Sequence, residues 1–362
     1  VQYTHNLANA LVDRGHRVTL VTGVGFELAD YPRKYTALEV FDRYRPRPLR
    51  LCRFVWHCLT FRPQIIHLQG AQHPALYILL WAMLRLLGSA SFVYTPQDVL
   101  PNSLRSYHIR AFRFLYARMR HVFLNAKQNE PLVIEHFAVP RDRITVLPIA
   151  DLTAFVREHV AGESPDIPAA SRVVLCFGLI EPRKGIHTLL SAAPEVLRQV
   201  PDALLLIVGK PLMDIAPLQR QLADLGLQGR VRLVPQYVSF AQMAGYFTAA
   251  RLLVLPYENG WNSGVLASAF GFGKPVIATR VGGFDEVVSD ESTGLLVPPK
   301  DPAVLAQAIV RLLRDDALYA RMVVNVRQAA AEISWETIAR MTEARYGDVV
   351  GIGADCAVSQ AR

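Results

Sequence analysis

The hydrophobic pattern is most regular in the second half of the chain. Six short runs there are almost wholly apolar: 173–177 (VVLCF), 203–208 (ALLLIV), 231–234 (VRLV), 252–255 (LLVL), 275–278 (PVIA) and 295–297 (LLV). Runs of that length without a polar face are what strands buried on both sides require. The segments between them predict helices. Strand and helix therefore alternate, which points to an α/β fold with a doubly wound parallel sheet. Further helices are expected over 302–314 and 334–346.

The first 150 residues carry a less regular version of the same pattern. An apolar face through Val1, Leu7, Leu11 and Val12 predicts a helix, followed by a strand over 17–22. Residues 27–62 are poorly periodic. The basic, proline-broken piece 43–53 (RYRPRPLRLCR) reads as a substrate-side loop or as a solvated connection. Strands are expected over 64–68, 91–95, 121–125 and 143–148, and helices over 103–120 and 127–136. His67 and His73 flank the end of the first of these strands, and a structural role is the simpler reading for each. The most apolar stretch, 75–87, is interrupted by Arg85 and falls short of the ~20 residues a membrane span needs. A buried core helix is expected there, with a membrane-surface helix as the alternative. Gly162, Pro165 and Pro168 break the pattern between the halves. The expected domains are 1–150, a linker 151–171, a second domain 172–330, a closing helix 331–349 and a tail 350–362.

Composition sharpens this picture in two places. Residues 1–150 hold nineteen Lys and Arg against nine Asp and Glu, so the whole basic excess of the +8 chain lies in the first half. That half is suited to an anionic partner: a membrane surface, a lipid-linked phosphate or an acidic glycan. The arginines are scattered and not gathered with aromatics on one element, which argues against nucleic acid. The four cysteines lack the spacing of a metal site, and Cys176 inside an apolar run reads as a buried reduced thiol. A cytoplasmic setting is expected, at most peripheral on the inner face of a membrane.

The chemistry concentrates in residues 256–288 (PYENGWNSGVLASAFGFGKPVIATRVGGFDEVV). Two loops of small residues each feed a helix there: Ser263 and Gly264 before Val265, and Gly282 and Gly283 before Phe284. A helix start presents unpaired N–H groups and a positive dipole end, a natural seat for an anion. Two such starts either side of one strand would suit a diphosphate.

The same stretch, with SGV, FGKPVIAT, VGGFDEVV and TGLLVPP, resembles the nucleotide-sugar-binding half of family 4 glycosyltransferases, in the branch that carries Ser263-Gly264-Val265. The resemblance extends over most of the chain. It implies the GT-B fold: two Rossmann-like domains facing across a cleft. It also implies retaining sugar transfer from a UDP- or GDP-sugar to a glycan or lipid-linked acceptor in cell-surface polysaccharide or lipopolysaccharide assembly. No metal is expected, since no Asp-x-Asp pair is present. The family's first strand and Gly-rich loop are absent, so a chain shortened at its start is expected.

Site residues follow from the same resemblance. Gly178, Arg183 and Lys184 match the diphosphate loop, with Lys184 neutralising the leaving group, although Leu179 stands where the family has an arginine. Gln236 and Tyr237 match the loop that seats the base. Ser263, Gly264, Val265 and Gly283 line the diphosphate, and Glu286 caps its loop or faces the sugar. The family's two glutamates fall on Gly260 and Ser268, leaving Ser268 for the ribose, while Glu258 lies two positions out of register. Gln97 and Asp98 occupy the acceptor-side loop, Gln97 where a histidine is usual. These departures imply an impaired enzyme or a non-catalytic homologue as the alternative.

Overall fold

The computed structural model describes the chain apart from residues 43–44, 47, 71–73, 89, 98, 100–105, 160–161, 164, 169, 261–262 and 352–362. His73, Asp98 and nearly all of the expected tail thus lie outside the described residues. The chain divides into two compact units: Val1–Ile149 with the segment from Trp335 onward, and Ala150–Ser334.

The first unit begins with α1 (Gln2–Asp13), β1 (Thr19–Gly23), β2 (Thr36–Asp42), β3 (Arg45–Pro46) and α2 (Pro48–Phe61). It continues through β4 (Ile65–Gln69), α3 (Pro74–Leu87), β5 (Ser91–Thr95), α4 (Ser106–Arg118), β6 (His121–Leu124), α5 (Asn129–Phe137) and β7 (Ile144–Val146). Strands β4 to β7 pair in parallel in chain order, while β1, β2 and β3 form a separate sheet. The core lies on the sheets under α2 to α5, around Phe54, Tyr94, Phe112, Tyr116 and Phe137. On α1 the buried face holds the expected Leu7 and Leu11 together with Tyr3 and Ala8, while Val1 is exposed.

Two expectations for this unit fail. Within the piece 43–53, the residues from Pro48 onward are helix and not loop, because Pro48 opens α2 as its first residue. A proline costs nothing there, since the first N–H groups of a helix have no partner to lose. The stretch 75–87 is not a deeply buried helix either. Leu84 is buried, but Leu79 and Leu86 are 60% and 89% exposed. One face of α3 covers the core and the other is open.

The second unit contains α6 (Ala154–His159), β8 (Arg172–Phe177), α7 (Ile186–Gln199), β9 (Ala203–Val208), α8 (Ala216–Asp224), β10 (Val231–Val234) and α9 (Phe240–Ala249). It then runs through β11 (Leu252–Leu255), α10 (Gly264–Gly271), β12 (Val276–Thr279), α11 (Phe284–Val287), β13 (Gly294–Val297), α12 (Pro302–Arg314) and α13 (Asp316–Glu332). The six strands are all parallel, in the order β10-β9-β8-β11-β12-β13. Side-chain alternation splits each strand between two cores. Val174, Cys176, Leu205 and Ile207 pack under α7 and α12, and Val173, Leu175, Leu204 and Leu206 under α9 and α10. The start of the expected linker carries α6, where Asp151 accepts from the Thr153 backbone N–H (2.9 Å) and pairs with Arg157 (2.7 Å), and Phe155 meets Phe240 edge-on.

The last helix, α14 (Trp335–Val350), belongs to the first unit and packs on α1. Trp335 meets Tyr3 edge-on, and Glu343 accepts from Arg14 Nε at 2.6 Å. Beneath it, the Tyr346 hydroxyl and the Thr95 hydroxyl hold the two ring nitrogens of His67, at 2.7 and 2.6 Å. His121 bonds Thr145 at 2.8 Å. Burial is the largest cause lowering both histidines, His67 to about 3 and His121 to about 4, so both are neutral at physiological pH. The two hydrogen bonds and the burial of His67 fit the structural reading.

Candidate functional site

The second unit's strand order reverses between β8 and β11. From β8 the chain runs outward to β9 and β10, then crosses back to β11, β12 and β13. The loops leaving the carboxyl ends of β8 and β11 meet at that point, the place where open parallel α/β sheets take ligands.

Both loops are built by local sequence. After β8, Gly178 takes a positive φ of 114°, and a Cβ there would press to 3.3 Å from a methyl of Val265, at the start of α10. Pro182, Arg183 and Lys184 form one 3-10 turn, ended by Gly185 at φ 61°. A Cβ on Gly185 would lie 1.9 Å from the Pro256 carbonyl oxygen, so this loop rests directly on the loop after β11. The Glu258 N–H donates to the Arg183 carbonyl at 2.8 Å and joins them further.

This packing buries Lys184. Its ammonium donates to the Tyr257 hydroxyl and lies 3.8 Å from the centroid of the Tyr257 ring. The Tyr257 hydroxyl lies 3.0 Å from Ser263 Oγ. Burial, with neighbouring Arg183, lowers Lys184 to about 8, and Cys176 and Glu181 oppose the shift. Ser263 is the N-cap residue of α10, yet its side chain makes no capping bond. Its oxygen is engaged by Tyr257, and the first turn of α10 has no side-chain acceptor from its own cap. A cation and a helix start thus come together with a serine hydroxyl.

The other expected site residues fall into place around this centre or away from it. Gly264 and Val265 open α10, and a Cβ on Gly264 would meet Leu152 at 2.5 Å. Ser268 is on the same helix, 1% exposed. Gln236 and Tyr237 follow β10 and are exposed, beside the Gly209 N–H bond to the Val234 carbonyl. Gly283 lies in the loop after β12, tied to the centre by the Thr279 hydroxyl on the Tyr257 carbonyl (2.6 Å) and by Phe284 against the Tyr257 ring. The helix after Gly283 has only four residues, and Glu286 on it is exposed. One turn aligns few peptide dipoles, so the two helix starts are unequal and α10 supplies most of the field. Arg183 is paired with Glu181 at 2.6 Å, and Leu179 is 44% exposed. Gln97 is exposed in the first unit, two residues beyond β5.

Sequence reasoning missed Tyr257 and the partners of Glu258. Glu258 is held by His187 at 3.0 Å and Lys300 at 3.2 Å. The available signal for Tyr257 was a hydroxyl-bearing ring directly after an apolar strand and a proline.

Two family profiles cover most of the chain. One described as "Glycosyl transferase 4-like domain" matches residues 1–150, and one described as "Glycosyl transferases group 1" matches residues 171–315. The chain belongs to the family 4 glycosyltransferases. Among curated members of this glycosyltransferase family, a D-inositol 3-phosphate glycosyltransferase of Nocardioides sp. is 36% identical over 190 residues, covering 49% of this chain and 41% of that protein. A phosphatidyl-myo-inositol mannosyltransferase of Mycolicibacterium smegmatis is 33% identical over 196 residues, covering 54% and 50%. The chain thus spans about half the length of the curated relatives it matches. Two solved structures share the GT-B fold. Sucrose-phosphate synthase from Thermosynechococcus elongatus has a TM-score of 0.71 at 23% identity, covering 97% and 93% of the two chains. Anabaena HepE in complex with UDP has 0.71 at 18%, covering 96% of each.

Proposed function

We propose that the chain transfers a sugar, with retention, from a nucleotide-diphospho-sugar to a lipid-linked glycan or inositol-type lipid. The convergence of Lys184, Ser263 and the start of α10 at the switch point carries this reading. Lys184 and the N–H groups of Gly264 and Val265 neutralise the departing diphosphate, and Gly178 lets the chain approach it. Gln236 and Tyr237 flank the base. UDP is the first candidate, because HepE has been solved with UDP and with UDP-glucose; GDP is the second. Ser268 needs a side-chain or helix movement to reach a ribose. Gln97 and Asp98 belong to the acceptor side, where Gln97 bonds a hydroxyl without taking its proton. No bound metal is required, since α10 and Lys184 supply positive potential.

The first unit fits an anionic membrane surface, and this placement is cytoplasmic and peripheral. Between Asp42 and Glu130 the sequence has one acidic residue, Asp98, and twelve arginines. Helix α3 contacts both α2 and α4. Together the three helices expose Leu49, Trp56, Leu59, Leu79, Leu86 and Phe114 among exposed Arg53, Arg85, Arg110, Arg113 and Arg118. Apolar rings and chains set among arginines suit the headgroup boundary of an anionic bilayer. Among the described residues no helix is long and apolar enough to cross a membrane. The triple reversal Arg53→Glu, Arg85→Glu and Arg113→Glu should weaken binding to phosphatidylglycerol vesicles by at least about a hundredfold. Equal flotation of parent and variant contradicts the docking face.

The exposed Leu179 favours a second reading, a nucleotide binder without transfer. Release of UDP or GDP from its sugar in the presence of a membrane extract separates the two. Donor-dependent release supports transfer. Nucleotide binding without release supports the second reading, and no UDP or GDP binding at millimolar concentration defeats both.

A further inference from the structure

We propose that Tyr257 is a positioning residue for the donor diphosphate: its hydroxyl aligns the Lys184 ammonium and the Ser263 hydroxyl beside the start of α10. The inference rests on the donor site described above and assigns it a residue that the resemblance did not supply.

Tyr257 is fixed on every side. Its side chain is 1% exposed, Phe284 packs on its ring at 5.1 Å, and its carbonyl accepts from Thr279. It joins a lysine 73 residues upstream to a serine six residues downstream. An ammonium only donates, so the phenol oxygen accepts from Lys184. The single phenol proton is then available to Ser263 Oγ. That leaves the serine's own proton to donate elsewhere, toward an anion at the first turn of α10. The ring face also attracts the ammonium, which sits over it. One side chain thereby sets the directions of two donors.

A tyrosine that only filled space would leave the charge state of Lys184 unaffected, and this gives the distinguishing readout. The groups around Lys184 are Tyr257, Arg183, Glu181 and Cys176. Glu181 is already paired with Arg183, and burial pushes the Cys176 thiol up to about 12, so it stays neutral. A diphosphate pairs with the protonated lysine. Affinity is therefore present below the free-state pKa of Lys184, about 8, and falls as pH rises through it. Removing the phenol oxygen takes an acceptor from the ammonium and moves that fall to lower pH.

The test is calorimetric titration of the full chain with UDP and with GDP from pH 6.5 to 9.5, for the parent, Tyr257→Phe, Ser263→Ala and the double variant. Melting temperatures confirm that each is folded. Tyr257→Phe should bind about tenfold more weakly at pH 7.5, with its affinity falling at lower pH than in the parent. The double variant should lose little more than the weaker-binding single variant, because both substitutions break one chain of bonds. A parent that binds while a folded Tyr257→Phe matches its affinity and pH profile overturns the positioning role and leaves the donor site standing. A parent that binds neither nucleotide overturns the donor site itself, and the inference with it.

Discussion

Lys184 and Gly185 show how much rests on single positions. Burial already disfavours the charged form of Lys184, so Lys184→Met removes a desolvated charge at similar volume. The melting temperature should hold or rise while UDP or GDP affinity drops by about 10- to 100-fold, as expected for a lost charge-assisted bond. Calorimetry paired with thermal melting checks both halves; an equal loss of stability and affinity would mean a structural lysine. Gly185→Ala tests the neighbouring backbone. Its added carbon would meet the Pro256 carbonyl in a left-handed conformation, so a loss of at least about 1–3 kcal/mol is expected in urea unfolding. The Lys-Gly pair was legible in the sequence because the two residues are adjacent and of fixed type. Tyr257 was not, because its role depends on a partner 73 residues away.

At the scale of elements, legibility followed burial. The strands of the second unit are covered on both faces, so their apolar runs are continuous, and the reading 203–208, 231–234 and 252–255 coincides with β9, β10 and β11. Strand β2 (TALEVFD) is only partly covered and alternates, and it was lost in a stretch that looked aperiodic. Helix α2 was lost because Pro46 and Pro48 read as breaks, whereas one of them starts the helix. The short α11 was legible as a start but not in its length, and length decides how much field it carries. Helix α9 is fixed by a full capping box, in which Ser239 accepts from the Gln242 backbone and Gln242 from the Ser239 backbone. Ser239→Ala should cost about 1 kcal/mol in urea unfolding, with no change in nucleotide affinity. A loss of affinity would show that α9 is coupled to the site.

At the scale of the whole molecule, two units of one fold class carry different physics. The first is basic, open on α2 to α4, and holds a polar seam under α14. His67 and His121 are neutral there, with pKa values below their unfolded value of about 6.5. The unfolded chain therefore binds more protons, and stability present above pH 6.5 is lost as pH falls toward 4. Each histidine contributes up to about 1.4 kcal/mol per pH unit. Urea midpoints between pH 7.5 and 4.5 should fall less steeply in His121→Gln than in the parent; identical slopes would remove His121 from the account. The second unit carries the proposed anion seat. A crystal structure of the chain with UDP or GDP bound tests that most directly. The account predicts a diphosphate within hydrogen-bonding reach of Lys184 Nζ and the backbone N–H groups of Gly264 and Val265. A nucleotide bound with its phosphates away from the β8 and β11 loops would contradict it.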